Sequence, residues 1–462
     1  MQLTILKNIK NMINKINKWA ISNGQLTISR CFLPIARCSF SIAYGLLHIA
    51  YFPLLFAYFL LPFASDAQTV ATSKTLNVEE ITTLVLKNNL ALKAHDFDIQ
   101  STQSLLKTAK ELPKMEANVQ LGQYNSIKFD NGFQVSQVIP FPTVFEAKKG
   151  LIQAEIKGKE AQQKITEAEL KNQVRTYYYQ LLFLQNNQNK LQYLDTLYLN
   201  FAQAAALRYK TGATKKLELT TAETKRGEIK VLLQQNETDI ANSYQNLKAL
   251  MNSNDDFIVV FENYKPLTIN DLLGKNVVLK NPMIAAFYQD ALVQDENIKL
   301  EKALAKPDFK VGYSNQSLIG FQTIDNQNQY FGAGKRFNSV NLGIAIPLNK
   351  TASKARIQSF DFQKQVAQTN ALQQKNHLET LLKNAISQYK QDVLQYNYYQ
   401  NQALPNAAEI VKAAKLGYQT GDIDYVEYLF ALQTVTDIEL KYLQSIHQVN
   451  QAVNVIKSIV NE

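Results

Sequence analysis

The sequence predicts a mostly α-helical chain with a small membrane β part, laid out as two tandem copies of one unit. Three observations lead there. Segments recur in the same order in both halves, strand-length stretches alternate apolar and polar residues, and helical runs extend far beyond globular length. Gly (16) and Pro (11) are scarce among the 462 residues, which favours long uninterrupted helices over a loop-rich enzyme fold.

Residues 1–38 carry Lys7, Lys10, Lys15, Lys18, Arg30 and Arg37 and no acidic residue. An apolar run follows from Ser39 to Ala64, and Ser65-Asp66-Ala67 then places small residues at the −3 and −1 positions. This order reads as a secretory signal over 1–67, cleaved between Ala67 and Gln68. The apolar run is also long enough for a membrane anchor, but Pro53, Pro62 and the small-x-small site favour cleavage. Met12 offers an alternative start. Loss of this leader removes six of the 49 basic residues and one of the 39 acidic ones, lowering the net charge from +10 to about +5. A nucleic-acid partner, which wants a concentrated basic stripe, is not expected. Cys31 and Cys38 leave with the leader, so neither a disulfide nor a thiolate metal site is expected. No cysteine follows the cleavage site to take a lipid.

After a linker over 68–75, the repetition becomes legible. Arg208-Tyr209-Lys210-Thr211-Gly212 aligns with Gly417-Tyr418-Gln419-Thr420-Gly421. The same offset pairs Glu218 with Glu427, Ala222 with Ala431, and Leu250-Met251-Asn252 with Ile459-Val460-Asn461. Leu86-Lys87-Asn88 matches Leu279-Lys280-Asn281, and Ile139-Pro140 matches Ile346-Pro347. The first copy takes 76–262 and the second 263–462.

Each copy opens with a helix. Asn77 with Glu80, and Thr268 with Asp271, have the spacing of an N-cap and its N3 partner. Leu76–Leu112 and Leu267–Lys306 read as helical, interrupted near Asn88-Asn89 and Asn281-Pro282. Two strands follow in each copy, forming hairpins over 115–141 and 308–348. Met115, Ala117, Val119 and Leu121 alternate with Glu116, Asn118 and Gln120, while Phe133 and Val135 flank Gln134 and precede Ser136. Phe309, Val311 and Tyr313 alternate with Asp308, Lys310 and Gly312, and Val340, Leu342, Ile344 and Ile346 with Ser339, Asn341, Gly343 and Ala345. Period two gives one apolar face and one polar or small face. Polar loops, Asn125–Gly132 and Ser314–Asn338, join the strands.

Long helical hairpins complete the copies, over 143–252 and 352–461. Thr143 and Glu146 are spaced as a capping box after Pro142, and the helix then runs without Pro to about Arg208, roughly 100 Å at 1.5 Å per residue. The matching run, Ala352 to Leu416, is broken once at Pro405. Leu170, Tyr177, Leu184, Leu191, Tyr198 and Ala205 recur every seven residues, as do Leu382, Tyr389, Tyr396 and Ala403. Such seams pack neighbouring helices as coiled coils. The helices turn back at Tyr209–Thr214 and Tyr418–Asp422.

Four half-apolar strands leave two edges with unpaired backbone groups, which hydrocarbon cannot satisfy. Spanning barrels start at eight strands, so several chains must share one barrel. Strands near ten residues fit a tilted crossing. The helices are too polar for lipid and must project into water.

At this point the sequence resembles the TolC family of outer-membrane efflux proteins over 76–462. The resemblance rests on the tandem repeat, the Tyr-x-Thr-Gly turns at 209–212 and 418–421, and the joints Ile139-Pro140-Phe141-Pro142 and Ile346-Pro347-Leu348. The start Leu76-Asn77-Val78-Glu79-Glu80 followed by Lys87-Asn88-Asn89 also resembles it. Pro140, Pro142 and Pro347 thus mark strand-to-helix joints. The resemblance implies a homotrimer whose three chains give a twelve-stranded β-barrel, four strands per chain, continued by a coiled-coil α-helical barrel. It implies residence in the outer membrane of a Gram-negative bacterium, with barrel against lipid and helices in the periplasm. Its implied partners are a periplasmic adaptor and an inner-membrane pump. Phe141-Pro142-Thr143-Val144 is most similar to members paired with heavy-metal pumps.

No Walker A sequence, dinucleotide glycine fingerprint or H-E-x-x-H is present, so neither catalysis nor a cofactor is expected. His95, His377 and His447 are far apart in sequence, and a helix points the groups of His95-Asp96-Phe97-Asp98 in different directions, so no metal site is expected. Tyr177, Tyr178 and Tyr179 read as packing residues. Asp422 and Asp424 are candidates for a periplasmic gate, since symmetry would multiply a pore-facing carboxylate into a cation-attracting ring. Asp424 with Glu427 is also spaced as a helix cap. Gly212 and Gly421 suit positive φ at the hairpin tips, and Arg208, Tyr209 and Tyr418 flank them as candidate adaptor contacts. The expected function is a passive conduit for metal ions or drugs delivered by a resistance-nodulation-division pump. The alternatives are a type I protein or peptide secretion channel and a periplasmic coiled-coil scaffold without a pore.

Overall fold

The computed structural model describes residues 74–260, 264–269 and 277–462. The cleavage site Ala67–Gln68, most of the 68–75 linker, and Asp271 of the second start signal lie outside the described residues.

Strand β1 (Lys74–Leu76) leads into helix α1 (Val78–Asn88). Asn77 and Glu80 close a capping box: each side chain accepts the other's backbone N–H at 2.9 Å. Asn89 is extended, ends α1, and caps α2 (Leu90–Ser104) by accepting Ala91 N–H at 2.9 Å. A 3-10 turn over Leu105–Lys110 leads to β2 (Glu116–Gly122) and β3 (Asp130–Ile139).

Helix α3 (Pro142–Lys210) has 69 residues. It starts one residue ahead of the expected Thr143–Glu146 cap, which does not form. Pro142 lies in the first turn, where its missing N–H is no loss, so Thr143 falls inside the helix and accepts instead from Lys306 Nζ at 3.1 Å. Helix α4 (Lys216–Met251) returns, and β4 (Phe257–Val259) pairs in parallel with β1.

The expected helix over Leu267–Lys306 is shorter in the structure. Residues 264–269 have no regular form, Val277–Lys280 is a 3-10 turn, and α5 spans Pro282–Leu304. Asn281 precedes Pro282, which disfavours the α conformation in the residue before it, and Asn281 is extended and caps α5. The expected Ser314–Asn338 loop is largely strand: β5 (Asp308–Ser317), β6 (Gly320–Ile324), β7 (Gln327–Phe331) and β8 (Arg336–Ala345). Asp325 and Asn326, both at positive φ (49° and 60°), join β6 to β7. A two-residue turn of that kind is the preferred hairpin connection.

Helix α6 (Thr351–Tyr398) passes through a π-turn (Tyr399–Ala403) into α7 (Leu404–Thr420), and α8 (Tyr425–Val460) ends the chain. Pro405 therefore does not break the helix as expected. Its ring crowds the carbonyl four residues back, and the π-turn immediately before it widens the ladder at that place.

Strands β2, β3, β5 and β8 form one antiparallel sheet in that order. Its register sorts the faces. Ala117, Val135, Tyr313 and Val340 lie in one row, Val119 and Phe133 in the next, and Phe309 sits opposite Ile344 on the same face. The other face carries Glu116, Ser136, Gly312 and Asn341 in one row and Asn118, Gln134, Ser314 and Ser339 in another. The apolar face is open: Val119 is 73% exposed and Leu342 79%. All four strands join helices at one end and loops at the other.

Three apolar clusters hold the helices. Ile81, Val85, Val174 and Leu181 centre the first, beside β1 and β4. Leu194, Phe201, Tyr418, Tyr428 and Leu432 centre the second, near the turns. Ile284, Leu378, Val453 and Ile456 centre the third. Full burial of each such side chain contributes about 1.5–3 kcal/mol. In α3 the expected seven-residue seam is buried apart from the half-buried Tyr177. In α6 the buried line is Ala371, Leu378, Ala385 and Asp392, with Leu382, Tyr389 and Tyr396 only partly buried. Small alanines let the helices approach, and the bulkier tyrosines stand at the margin. Among the described residues no helix is long and apolar enough to cross a membrane.

Candidate gate and docking site at the helical tips

Two turns lie at the ends of the helical hairpins. Gly212 (φ 73°) follows α3 and Gly421 (φ 87°) ends α7. Both occupy the left-handed region, where a Cβ is costly. In the second turn, the N–H groups of Gly421 and Asp422 donate to the Gly417 carbonyl at 3.0 and 2.8 Å.

Asp422 and Asp424 are both exposed. Asp422 Oδ2 accepts from Thr420 Oγ1 at 2.6 Å. Asp424 Oδ1 accepts from the N–H groups of Val426 and Glu427 at 2.8 and 2.9 Å, and Glu427 Oε2 accepts Asp424 N–H at 3.1 Å. Asp424 thus caps α8, and its charge also suits the positive end of that helix. The capped geometry fixes the backbone that presents both carboxylates to water.

The candidate docking residues separate. Tyr209 is 44% exposed, Arg208 is half-buried, and Tyr418 is 4% exposed. Tyr418 lies under the surface, stacked on Tyr428 at 4.5 Å between ring centroids, with Phe201 edge-on to both. Its hydroxyl donates to Glu218, as does that of Thr214. Arg208 places its guanidinium 4.9 Å from the Tyr418 ring centre and its Nε 3.9 Å from Glu218 Oε1. Burial, and then the Glu218 carboxylate it faces, push the Tyr418 phenol pKa upward. The cluster joins α3, α4, α7 and, through Tyr428, α8. Glu218 was visible in the sequence only as the repeat partner of Glu427; nothing there marked it as buried.

The joints lie at the opposite ends of the long helices. Pro140 is buried, Pro142 and Pro347 are exposed, and Phe141 stacks on Phe309 at 6.1 Å under the Lys306 ammonium. His95 bonds Thr166 at 3.0 Å, and His447 bonds Tyr264 at 3.0 Å while stacking on Phe183. Among the described residues no group of three or more His, Cys, Asp or Glu side chains is placed to hold a metal ion.

No protein-family model matches the sequence, and neither does any curated protein. Solved structures do match the fold. CusC, described for the changes accompanying its folding and transmembrane channel formation, aligns over 83% of this chain and 91% of its own, at 15% identity and a TM-score of 0.67. The Campylobacter jejuni CmeC outer membrane channel aligns over 83% and 85%, at 16% identity and a TM-score of 0.65. The Vibrio cholerae outer membrane protein VceC aligns over 83% and 95%, at 14% identity and a TM-score of 0.65. The chain has the TolC-type channel fold. In this chain that fold comprises the four-stranded sheet and the paired helical hairpins. The TolC-type fold also gives the two turns a common setting, at the ends of the long helices remote from the sheet.

Proposed function

We propose that this chain is the outer-membrane channel of a tripartite export system, a passive conduit completed by three copies. The observation that carries the reading is the open sheet. Its apolar face is exposed, and its rim strands β2 and β8 have no further partner within the described residues. Three copies give twelve strands and remove the edges, as hydrocarbon demands. The apolar row then meets lipid, and the row of Asn, Gln, Ser and Gly lines a water-filled lumen. The long, water-compatible helices continue the passage through the periplasm toward an adaptor and an inner-membrane pump. Metal ions or drugs are the proposed cargo, metals being favoured by the Phe141-Pro142-Thr143-Val144 joint. Asp422 and Asp424, tripled, form the cation-attracting gate at the periplasmic end.

The test is fractionation followed by planar-bilayer recording. The mature protein should appear in the outer-membrane fraction as heat-modifiable trimers, and Asp422→Asn with Asp424→Asn should raise closed-state conductance or abolish cation block. A monomer freely soluble without detergent would overturn the channel, and unchanged currents in the double variant would remove the gate.

A further inference from the structure

Charge is spread unevenly about the four-stranded sheet. The segments joining its strands to helices, residues 105–115, 140–149, 302–307 and 346–356, hold ten lysine and arginine residues against two acidic ones, Glu111 and Glu146. At the other end, the stretches 123–129 and 318–335 hold only Lys128 and Lys335 against Asp325. The helical end of the sheet thus carries a basic collar, and the loop end is close to neutral.

The collar is not neutralised from within. Of its ten cations only Arg356 has an ion pair among the described residues, to Glu301 at 2.8 Å. Lys107, Lys110, Lys114, Lys350 and Lys354 are all exposed. Lys350 is moreover the N-cap residue of α6, makes no side-chain cap bond, and has no acidic residue in the turn that follows. Cations there oppose the helix dipole. A local preference broken without an internal gain marks a place shaped by something outside the chain.

The same collar adjoins the apolar face of the sheet. At the helical end that face reaches Phe309 and Ile344, and the alternation continues past β8 through Ile346 (61% exposed) and Leu348 (92%) to Lys350. Phe309 stacks on Phe141, and the Lys306 ammonium lies 4.8 Å from the Phe141 ring centre. Aliphatic side chains, then aromatic rings, then lysines follow the order in which a bilayer passes from hydrocarbon to headgroups.

We propose that this collar binds the phosphate groups of anionic phospholipids in the leaflet on the helical side of the membrane. The proposal rests on the channel reading, because it needs the apolar face in hydrocarbon, and it adds a lipid class to that reading. Lysine offers phosphate a point charge, and each cation near an anionic surface adds attraction that salt screens. A soluble acidic partner gives no account of Ile346 and Leu348, whose exposure beside the lysines suits acyl chains beneath charged headgroups.

Full-length protein in a neutral detergent is titrated with phosphatidylglycerol or phosphatidylcholine, and the lipid retained per chain is read by native mass spectrometry. Phosphatidylglycerol should be held at least about tenfold more tightly, with the preference collapsing at high salt. Lys107→Gln, Lys110→Gln, Lys350→Gln and Lys354→Gln combined should abolish the preference, and Lys128→Gln with Lys335→Gln at the loop end should leave it intact. Helical circular dichroism checks that each variant is folded; if the fourfold variant is not, the two lipids on the parent decide alone. Equal retention of both lipids overturns the proposal, as does a folded fourfold variant that keeps the preference or a loop-end variant that loses it. Displacement of the lipid by an equal concentration of soluble glycerol phosphate would reveal a free-anion site and overturns it too. Conductance in phosphatidylcholine bilayers is read separately. A protein that conducts without the preference loses the collar and keeps the channel, whereas one that neither conducts nor needs detergent loses both.

Discussion

Glu218 is 1% exposed and carries a carboxylate. Its oxygens accept the hydroxyls of Tyr418 and Thr214, with Arg208 close by. Tyr418→Phe keeps the ring stack and removes one donor, leaving a buried acceptor short of a partner. The expected loss is about 1–2 kcal/mol, read as a lowered midpoint in thermal unfolding followed by circular dichroism; a midpoint equal to that of the parent would refute the role given to this bond. His447 supplies a pH dependence. Burial pushes its pKa down to about 4, below the ordinary value of 6.5. The unfolded chain therefore binds the proton more readily, and folded stability is full above pH 6.5 and declines as pH falls toward 4. Between pH 7 and pH 5 the decline is about 2 kcal/mol. Replacement by the non-titrating His447→Asn should flatten that slope, and an unchanged slope would assign it to other groups. Arg208, Gly212 and Gly421 were legible in the sequence because the motif occurs twice. The Glu218–Tyr418 bond was not, since it joins residues 200 positions apart, and no local pattern encodes such a pairing.

At the level of elements, caps and turns decide where the helices begin and end. Asp424→Ala should destabilise α8 by about 1 kcal/mol, and Lys215→Asp should stabilise α4 by a similar amount, because the N-cap preference is the same at both places. Thermal midpoints moving in opposite directions are the expected outcome; a fall in both would show that Lys215 contributes to the fold. The existence of the long helices was plain from their lack of Pro and Gly, and the strands from their alternation. Their boundaries were less so. Pro142 begins a helix, which a spacing rule for caps misses at Thr143; the break at Asn281-Pro282 was legible, but the irregular form of residues 264–269 and the 3-10 turn Val277–Lys280 ahead of it were not. The β6–β7 hairpin was hidden by its polar composition, although Asp325-Asn326 is suited to a turn with two positive φ angles. The Pro405 π-turn was hidden because sequence shows that a proline disrupts the ladder, and not how the neighbouring residues absorb it.

For the whole molecule, the register of the sheet is the main determinant, since shifting it by one residue would exchange the faces of a strand. Leu342 and Asn341 are adjacent in β8 and both exposed in one subunit, yet they point to opposite faces. In the proposed barrel Leu342→Lys places a charge in hydrocarbon at a cost of about 2–4 kcal/mol, and Asn341→Lys places it in water. The yield of heat-modifiable oligomer should collapse for the first and persist for the second; equal yields would contradict the assignment of faces. The common attachment of all four strands to helices at one end also dictates a route. If the proposed barrel inserts, its helical end is too large and too polar to traverse the bilayer, so the Gly122–Asp130 connection and the β6–β7 hairpin would be the parts that cross first. The direction in which the proposed passage points would thereby be decided by chain connectivity.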